Sequence, residues 1–302
     1  MRLRLATRRS ALALAQARLV AAALAQAGTE TELVEIATAG DRGAKGGDKS
    51  RWVAELEQAL IEERADVAVH SAKDVPGELP RGLAILAVPP RADARDALCG
   101  AASLEALPAG SRVGTSSLRR AAQLRAQRDD LEVVALRGNV DTRLRRLAEG
   151  DWDAIVLAMA GLERLDRRDA AGTALDPARF VPAPGQGALA LEGRAGDEPV
   201  REAIRALDDD RAHDALRAER ALCAALGATC HTPVGAHAGP DGDDTLCLRA
   251  FAGLPDGSEW IFDHAEGPQA EPEALGRDVG ERMLGAGCAD LLRRAEASGA
   301  PA

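Results

Sequence analysis

The apolar positions change period along the chain. Residues 2–6, Arg-Leu-Arg-Leu-Ala, alternate polar and apolar side chains, the pattern of a half-buried strand. Beyond them Ser10 is placed to cap a helix that ends near Gly28. The same reading predicts strands at residues 31–38, 66–70 and 84–88 and a helix over 51–64. After a stretch rich in proline and charge at residues 89–96 the alternation restarts, with strands at 112–115, 132–136 and 153–159 and helices between them. Strands alternating with helices predict parallel sheets covered by helices, so two α/β units are expected. The chain passes between them at residues 89–96 and again near 181–187, a double crossing that suits a hinged cleft. The last third changes character. It predicts a helix over 197–226, three strands within 232–264 broken by Gly, Pro and Asp turns, and a closing helix over 273–297. Three domains follow: residues 1–90 with 188–207, residues 91–187, and an α+β domain over 208–302 with a three-stranded antiparallel sheet.

Composition narrows the function. A formal net charge of −10 over 302 residues argues against a general binder of nucleic acid or of anionic membrane surfaces. Aromatic residues make up 2% of the chain, so its cores are expected to be built from Ala, Leu and Val. Among 38 basic residues the lysines are Lys45, Lys49 and Lys73, all within residues 45–73. Lysine kept in one stretch of an arginine-rich chain marks a place where a compact point charge is wanted. No run of ~18 apolar residues occurs, and residues 1–6 read as a strand and not as a signal peptide, so a cytoplasmic protein without a membrane span is expected. The five cysteines, Cys99, Cys223, Cys230, Cys247 and Cys288, are widely spread without a CxxC pair. They read as reduced thiols and not as a disulfide framework or metal site.

Candidate chemistry gathers where predicted strands end. Thr7-Arg8-Arg9-Ser10, Ser71-Ala72-Lys73-Asp74, Thr115-Ser116-Ser117 followed by Arg119 and Arg120, and Arg137-Gly138-Asn139-Val140-Asp141-Thr142-Arg143 each form a polar, mostly basic turn that opens a helix. In open α/β sheets ligands bind beyond the carboxyl ends of strands, where helix N-termini favour anions. Ser and Thr add short donors, and arginine adds a planar fork that matches a carboxylate or phosphate. Ser10, Ser117 and Asp141 can each be read simply as helix caps, but caps need no guanidinium beside them. The ligand is therefore expected to be strongly anionic. Asp74 stands apart, because a carboxylate among cations is suited to steadying a positive charge or moving a proton. A structural ion pair with Lys73 or an arginine is the plainer account of it. The segment Gly43-Ala44-Lys45-Gly46-Gly47-Asp48-Lys49-Ser50 approaches a phosphate-binding P-loop, but Asp48 sits where the motif needs glycine and would face the phosphates. It reads better as a glycine-rich loop.

Over residues 2–297 the chain resembles the porphobilinogen deaminase family. The resemblance is carried, in order, by Leu5-Ala6-Thr7-Arg8, Ala68-Val69-His70-Ser71-Ala72-Lys73-Asp74-Val75-Pro76, residues 113–120, residues 136–144 and Pro184-Gly185-Gln186-Gly187. It implies two hinged α/β domains like those of periplasmic binding proteins, with a third domain that carries a cysteine on a loop. That cysteine is expected to be Cys230, in Gly227-Ala228-Thr229-Cys230-His231-Thr232-Pro233, holding a dipyrromethane cofactor through a thioether. The implied reaction joins four porphobilinogen molecules head to tail, releases ammonia each time and finally frees hydroxymethylbilane. Each pyrrole bears an acetate and a propionate, which is the anionic ligand that the turns call for. By position, Asp74 is expected to act in catalysis. Lys73, Ser71, Thr115, Ser117, Arg119 and Arg120, with Asp74, are expected at the cofactor, and Arg8, Ser10, Arg137, Arg143, Arg164 and Gln186 at the substrate. Gln16 is a weaker candidate. A monomer without metal is expected.

The chain departs from the family in the loop after Gly40-Asp41, which is shortened, with Trp52 in place of phenylalanine and Lys49 keeping the lysine. His231 beside the cysteine is also unusual and is given no role. A two-lobed, non-catalytic anion-binding protein is the alternative; it leaves Asp74 and the third domain without a purpose. If the arginine turns act through their forks, Arg137→Lys keeps the charge yet should still cost about 1–3 kcal/mol of transition-state binding. Steady-state kinetics equal to wild type in that variant would show that charge alone suffices.

Overall fold

The computed structural model describes residues 1–37, 50–229 and 232–298. In chain order the first elements are β1 (Arg2–Arg8), α1 (Ala11–Gln26), β2 (Glu30–Ile36), α2 (Ser50–Ile61), β3 (Val67–Ser71) and β4 (Leu83–Ala87). The chain then forms β5 (Asp96–Cys99), β6 (Arg112–Gly114), α3 (Leu118–Gln127), β7 (Glu132–Val134), α4 (Val140–Ala148), β8 (Ala154–Ala158), α5 (Met159–Arg164) and the short β9 (Thr173–Ala174). It returns with β10 (Leu189–Arg194) and α6 (Glu198–Ile204). The final third holds α7 (Asp210–Leu226), β11 (Val234–Pro240), β12 (Thr245–Gly253), β13 (Trp260–Pro268), α8 (Pro272–Gly285) and α9 (Cys288–Ser298).

These strands make three sheets. The first has the order β2-β1-β3-β10-β4, the second β7-β6-β8-β5-β9, and the third, antiparallel throughout, β11-β12-β13. Apolar side chains cover both faces of the first two sheets. One face of the first packs Leu3, Leu5 and Val67 under Val20 and Leu24, and the other packs Ala6 and Ala68 under Leu56 and Leu60. The third sheet lies against α7, α8 and α9 through Leu222, Leu248 and Val279.

Apart from the strands β5, β9 and β10, which it did not predict, the sequence reading differs from the structure in four places. The first two sheets are mixed and not purely parallel: β10 runs antiparallel to β3 and β4, and β5 antiparallel to β8. Both strands follow the crossings, and both enter their sheet at its carboxyl end, with Leu189 beside Ser71 and Asp96 beside Ala158. A strand that enters there can only run back. The helix expected over 197–226 breaks, because Asp209 takes the backbone N–H of Ala212 and caps a new helix, while Asp208 accepts from the N–H of Val88. The closing helix is likewise two, α8 and α9, parted at Ala286-Gly287. Asn139, not Asp141, caps α4, accepting from the N–H of Thr142.

Both crossings converge on Glu219 of α7, which has no exposed surface. Arg91 in the first crossing grips it with both terminal nitrogens, at 2.6 and 3.2 Å. The N–H of Gly185 in the second crossing donates to it at 2.6 Å, and the N–H of Ala238 in β11 at 2.7 Å. Burial pushes this carboxyl up, but Arg91 and His237 outweigh it and hold the carboxyl below its ordinary value. In the second crossing Gly185 and Gly187 have φ of 70° and 88°. A side chain at Gly185 would meet the backbone of Ala72 and Lys73 at 2.9 Å, and one at Gly187 the carbonyl of Ala92 at 2.4 Å. Glu219→Ala strands Arg91, so we expect a loss of about 3–5 kcal/mol of stability. Denaturant unfolding reads it directly, and a loss below about 1 kcal/mol would mean that the three sheets are held together elsewhere.

Candidate functional site

Each α/β sheet reverses its winding once. From β1 the chain winds outward to β2 and then crosses back over to β3 on the other side of β1. In the second sheet β6 leads outward to β7 and then back to β8. Ligands of open α/β sheets bind at such reversals, outside the carboxyl ends of the strands. Arg8 ends β1, Ser71 ends β3, and the turn after it brings Lys73 and Asp74. Thr115 follows β6, Ser117 caps α3, and Arg164 closes the helix that follows β8.

On the first sheet the structure gathers the expected residues. An open cleft is lined by Arg8, Ser10, Gln16, His70, Ser71 and Asp74 together with apolar side chains of α1, α2 and β3. Ser10 caps α1, accepting from the N–H of Ala13, and Gln16 donates to Ser71 Oγ at 2.7 Å. Gln16 is thus a buried support for Ser71 and not a helix-surface residue.

On the second sheet the arginines divide. Arg137 is exposed in the turn after β7. Arg143 donates to the carbonyl of Gly138, and Arg164 to that of Gly187. Burial pushes both guanidinium groups down to about 10, with nearby Arg120 adding to the effect at Arg143, so both remain charged near neutrality. Arg119 and Arg120, expected at the cofactor, are turned inward. They are buried, and their forks close on Asp96, which has no exposed surface. Arg120 donates to Asp96 Oδ1 at 2.9 and 2.6 Å, and Arg119 Nη1 lies 2.8 Å from Oδ2. Burial raises the Asp96 carboxyl, but the two arginines overcome it and hold it at about 2. Gln186, expected at the substrate, lies in the second crossing. It is buried, and its amide nitrogen donates to the carbonyl of Ala94 and to Asp96 while its oxygen accepts from Lys73 at 3.3 Å.

Cys230, His231, Lys45, Lys49 and the loop from Asp41 lie outside the described residues. The other cysteines are accounted for. Burial pushes the thiols of Cys99 and Cys288 up to about 11 and that of Cys223 up to about 12, and it raises that of Cys247. The sequence reading missed Asp96, inside a stretch taken as a linker, although a lone aspartate leading the apolar run Ala97-Leu98-Cys99 was a signal. It also missed a buried acidic group behind the cleft. Glu192 of β10 has no exposed surface and stands 2.9 Å from His70 Nε2, Glu57 of α2 is 7% exposed beside it, and the charge of Arg220 is felt from α7.

Two family models match the chain: porphobilinogen deaminase, dipyromethane cofactor binding domain, over residues 3–202, and porphobilinogen deaminase, C-terminal domain, over residues 214–285. Porphobilinogen deaminase of Thermus thermophilus is 48% identical over 95% of this chain and 96% of the relative. That of Deinococcus radiodurans is 46% identical over 95% and 96%. Among solved structures, a nutrient binding protein from Burkholderia cenocepacia bound to methionine is similar at 12% identity and a TM-score of 0.42, covering 67% of this chain and 90% of that one.

The acidic group sets a test of its own. Burial, and then the charge of Glu192, push the Glu57 carboxyl from its ordinary 4.5 up to about 7, against a smaller pull from His70. Between those values the folded chain keeps a proton that the unfolded chain has lost, so stability falls as pH rises through the window. Glu57→Gln removes that linkage. The variant should be more stable than wild type at about pH 8, with a flatter profile from about pH 4.5 to 7 in denaturant titrations. A profile that keeps the wild-type slope would place the shared proton on another member of the group.

Proposed function

The chain belongs to the porphobilinogen deaminase family, and from that premise we propose how its cleft performs the reaction. The enzyme is a transferase of tetrapyrrole biosynthesis. It condenses four porphobilinogen molecules head to tail on a covalently attached dipyrromethane, releasing ammonia and then hydroxymethylbilane. The observation that carries this reading is identity of 48% over nearly the full length of both chains. The donor set fits the cofactor. A group bearing several carboxylates needs forks, short hydroxyls and helix N-termini on more than one side, and the two sheet reversals offer these. When bound, dipyrromethane supplies the primer to which pyrroles are joined.

In our assignment Ser71, Lys73, Thr115 and Ser117 hold the cofactor by hydrogen bonds, and Arg119 and Arg120 supply the positive charge beneath it. Arg8, Ser10, Arg137, Arg143 and Arg164 hold the acetate and propionate groups of substrate pyrroles. Gln186 supports Lys73 in place of the substrate contact expected from sequence. Asp74 is the catalytic residue. Its carboxylate steadies the positive charge that builds on a pyrrole as ammonia leaves, and it takes the proton released when two pyrroles join. We assign residues 1–90 with 188–207, 91–187 and 208–302 to the three domains, the first two hinged at the crossings. We also take the enzyme to work as a monomer in the cytoplasm, in keeping with the free thiols of Cys99, Cys223, Cys247 and Cys288. Among the described residues no helix is long and apolar enough to cross a membrane.

Cys230 is our attachment point. A thioether needs a reachable, ionisable sulfur, and burial holds the thiols of the other four above their usual range. Intact mass of the purified protein should exceed that of the sequence by two linked pyrrole units, mapping to the Cys230 peptide. Cys230→Ser should fold, carry no thioether and be nearly inactive, while Cys288→Ser keeps both mass and activity. An active Cys230→Ser enzyme, or the added mass on another cysteine, would overturn the assignment.

A further inference from the structure

We propose that Asp96 is a positioning residue that fixes, from one buried carboxylate, cations contributed to the cleft by both α/β sheets. The inference rests on the functional reading above and names a residue that it does not use. A continuous chain of contacts supports it. Lys73 Nζ donates to Gln186 Oε1 at 3.3 Å, and Gln186 Nε2 donates to Asp96 Oδ1 at 3.0 Å. Asp96 Oδ1 in turn accepts from Nε and Nη2 of Arg120, and Oδ2 forms an ion pair with Arg119 Nη1 at 2.8 Å. Lys73 belongs to the turn after β3 in the first sheet, whereas Arg119 and Arg120 belong to α3, which opens beyond β6 in the second. Gln186 lies in the crossing between them.

Both arginines have a second anchor. Arg120 Nη1 donates to the carbonyl of Val156, and Arg119 Nη1, the nitrogen that faces Asp96, also donates to that of Val181 at 2.6 Å. Two cations thus flank one carboxylate and a third is tied to it through Gln186, and the group keeps a surplus of positive charge. Without the carboxylate these cations would repel one another in a site where water screens them poorly. With it they stand at set distances, so an anion meets donors that need no rearrangement on binding. A carboxylate on the floor of an anion site weakens the field, and its value lies in the order that it imposes. Gln186 extends that order across the crossing without adding charge.

A merely structural Asp96 predicts something different: lost stability with unaltered ligand binding once folded. Asp96→Asn keeps the shape but not the charge, and Gln186→Met keeps the volume but cuts the link to Lys73. For each, intact mass reads cofactor content, thermal unfolding reads stability, and kinetics separate KM from kcat. We expect folded Asp96→Asn to be incompletely loaded with dipyrromethane. Gln186→Met should be loaded but show a KM about tenfold higher, the scale of one hydrogen bond to a charged group. If Asp96→Asn fails to fold, the KM of Gln186→Met decides. Full loading with KM unchanged or lowered in the folded variants, beside a loaded wild type, would overturn the inference and leave the function standing. A wild type without the added mass would sink the functional reading and this inference with it.

Discussion

A carboxylate with no exposed surface must find donors for all its lone pairs, and at Glu219 that requirement draws the whole chain to one point. Arg91 comes from the first crossing, the N–H of Gly185 from the second, and the N–H of Ala238 from the third sheet. Glu219 itself lies in α7, which packs against α8. Each α/β sheet has its own apolar core, and the two crossings bond to each other directly, through the N–H of Ala92 on the carbonyl of Gly187 and Arg91 on that of Gln186. The ion pair at Glu219 and its two backbone donors tie both crossings to α7 and the third sheet. Gly185 and Gly187 have to be glycines in this arrangement, because the crossing presses on the backbone of the Ala72-Lys73 turn and on Ala92.

A chain with a net charge of −10 still builds a cleft for an anion. It does so by placing its cations at strand ends and burying several of them. Arg119 and Arg120 are buried against Asp96, while Arg143 and Arg164 are buried far enough to be pushed down to about 10 and yet stay charged near neutrality. Charges in such positions act over longer distances than exposed ones, so local placement outweighs the overall balance. The acidic residues of the first sheet's interior, Glu57 and Glu192, sit behind the cleft against His70.

Much of the fold was legible because periodicity reports burial. The alternation at residues 2–6 and the capping serine at Ser10 gave β1 and α1, and the turns at Ser71 and Ser117 stand where the pattern put them. What was lost depends on partners distant in sequence. The direction of β5 and β10 is set by where the crossings enter, which no local pattern records. Residue types identified the cations of the site but not their pairing, so Arg119 and Arg120 looked like free forks until Asp96 was found between them. Gln186 looked like a donor for the ligand, and its burial reflects partners in the first crossing, the carbonyl of Ala94 and Asp96, that are distant in sequence.

The antiparallel entry of β5 and β10 has a mechanical result. Each crossing delivers its strand directly beside the site, at Ala158 in one sheet and Ser71 in the other, so the crossings proposed as the fulcrum between the lobes also lie at the floor of the site. For any swing of one lobe against the other, displacement grows with distance from that fulcrum. Lys73, Gln186 and Asp96 stand on it and keep their spacing. Arg137 follows β7, three strands from β5 in the order β7-β6-β8-β5, or about 14 Å away at the usual strand spacing. Arg8 ends β1, two strands from β10, or about 10 Å away. In the proposed hinged arrangement the cleft would keep a base of constant dimensions between rims that travel, a geometry in which a ligand that lengthens is accommodated at its outer end while its root stays clamped.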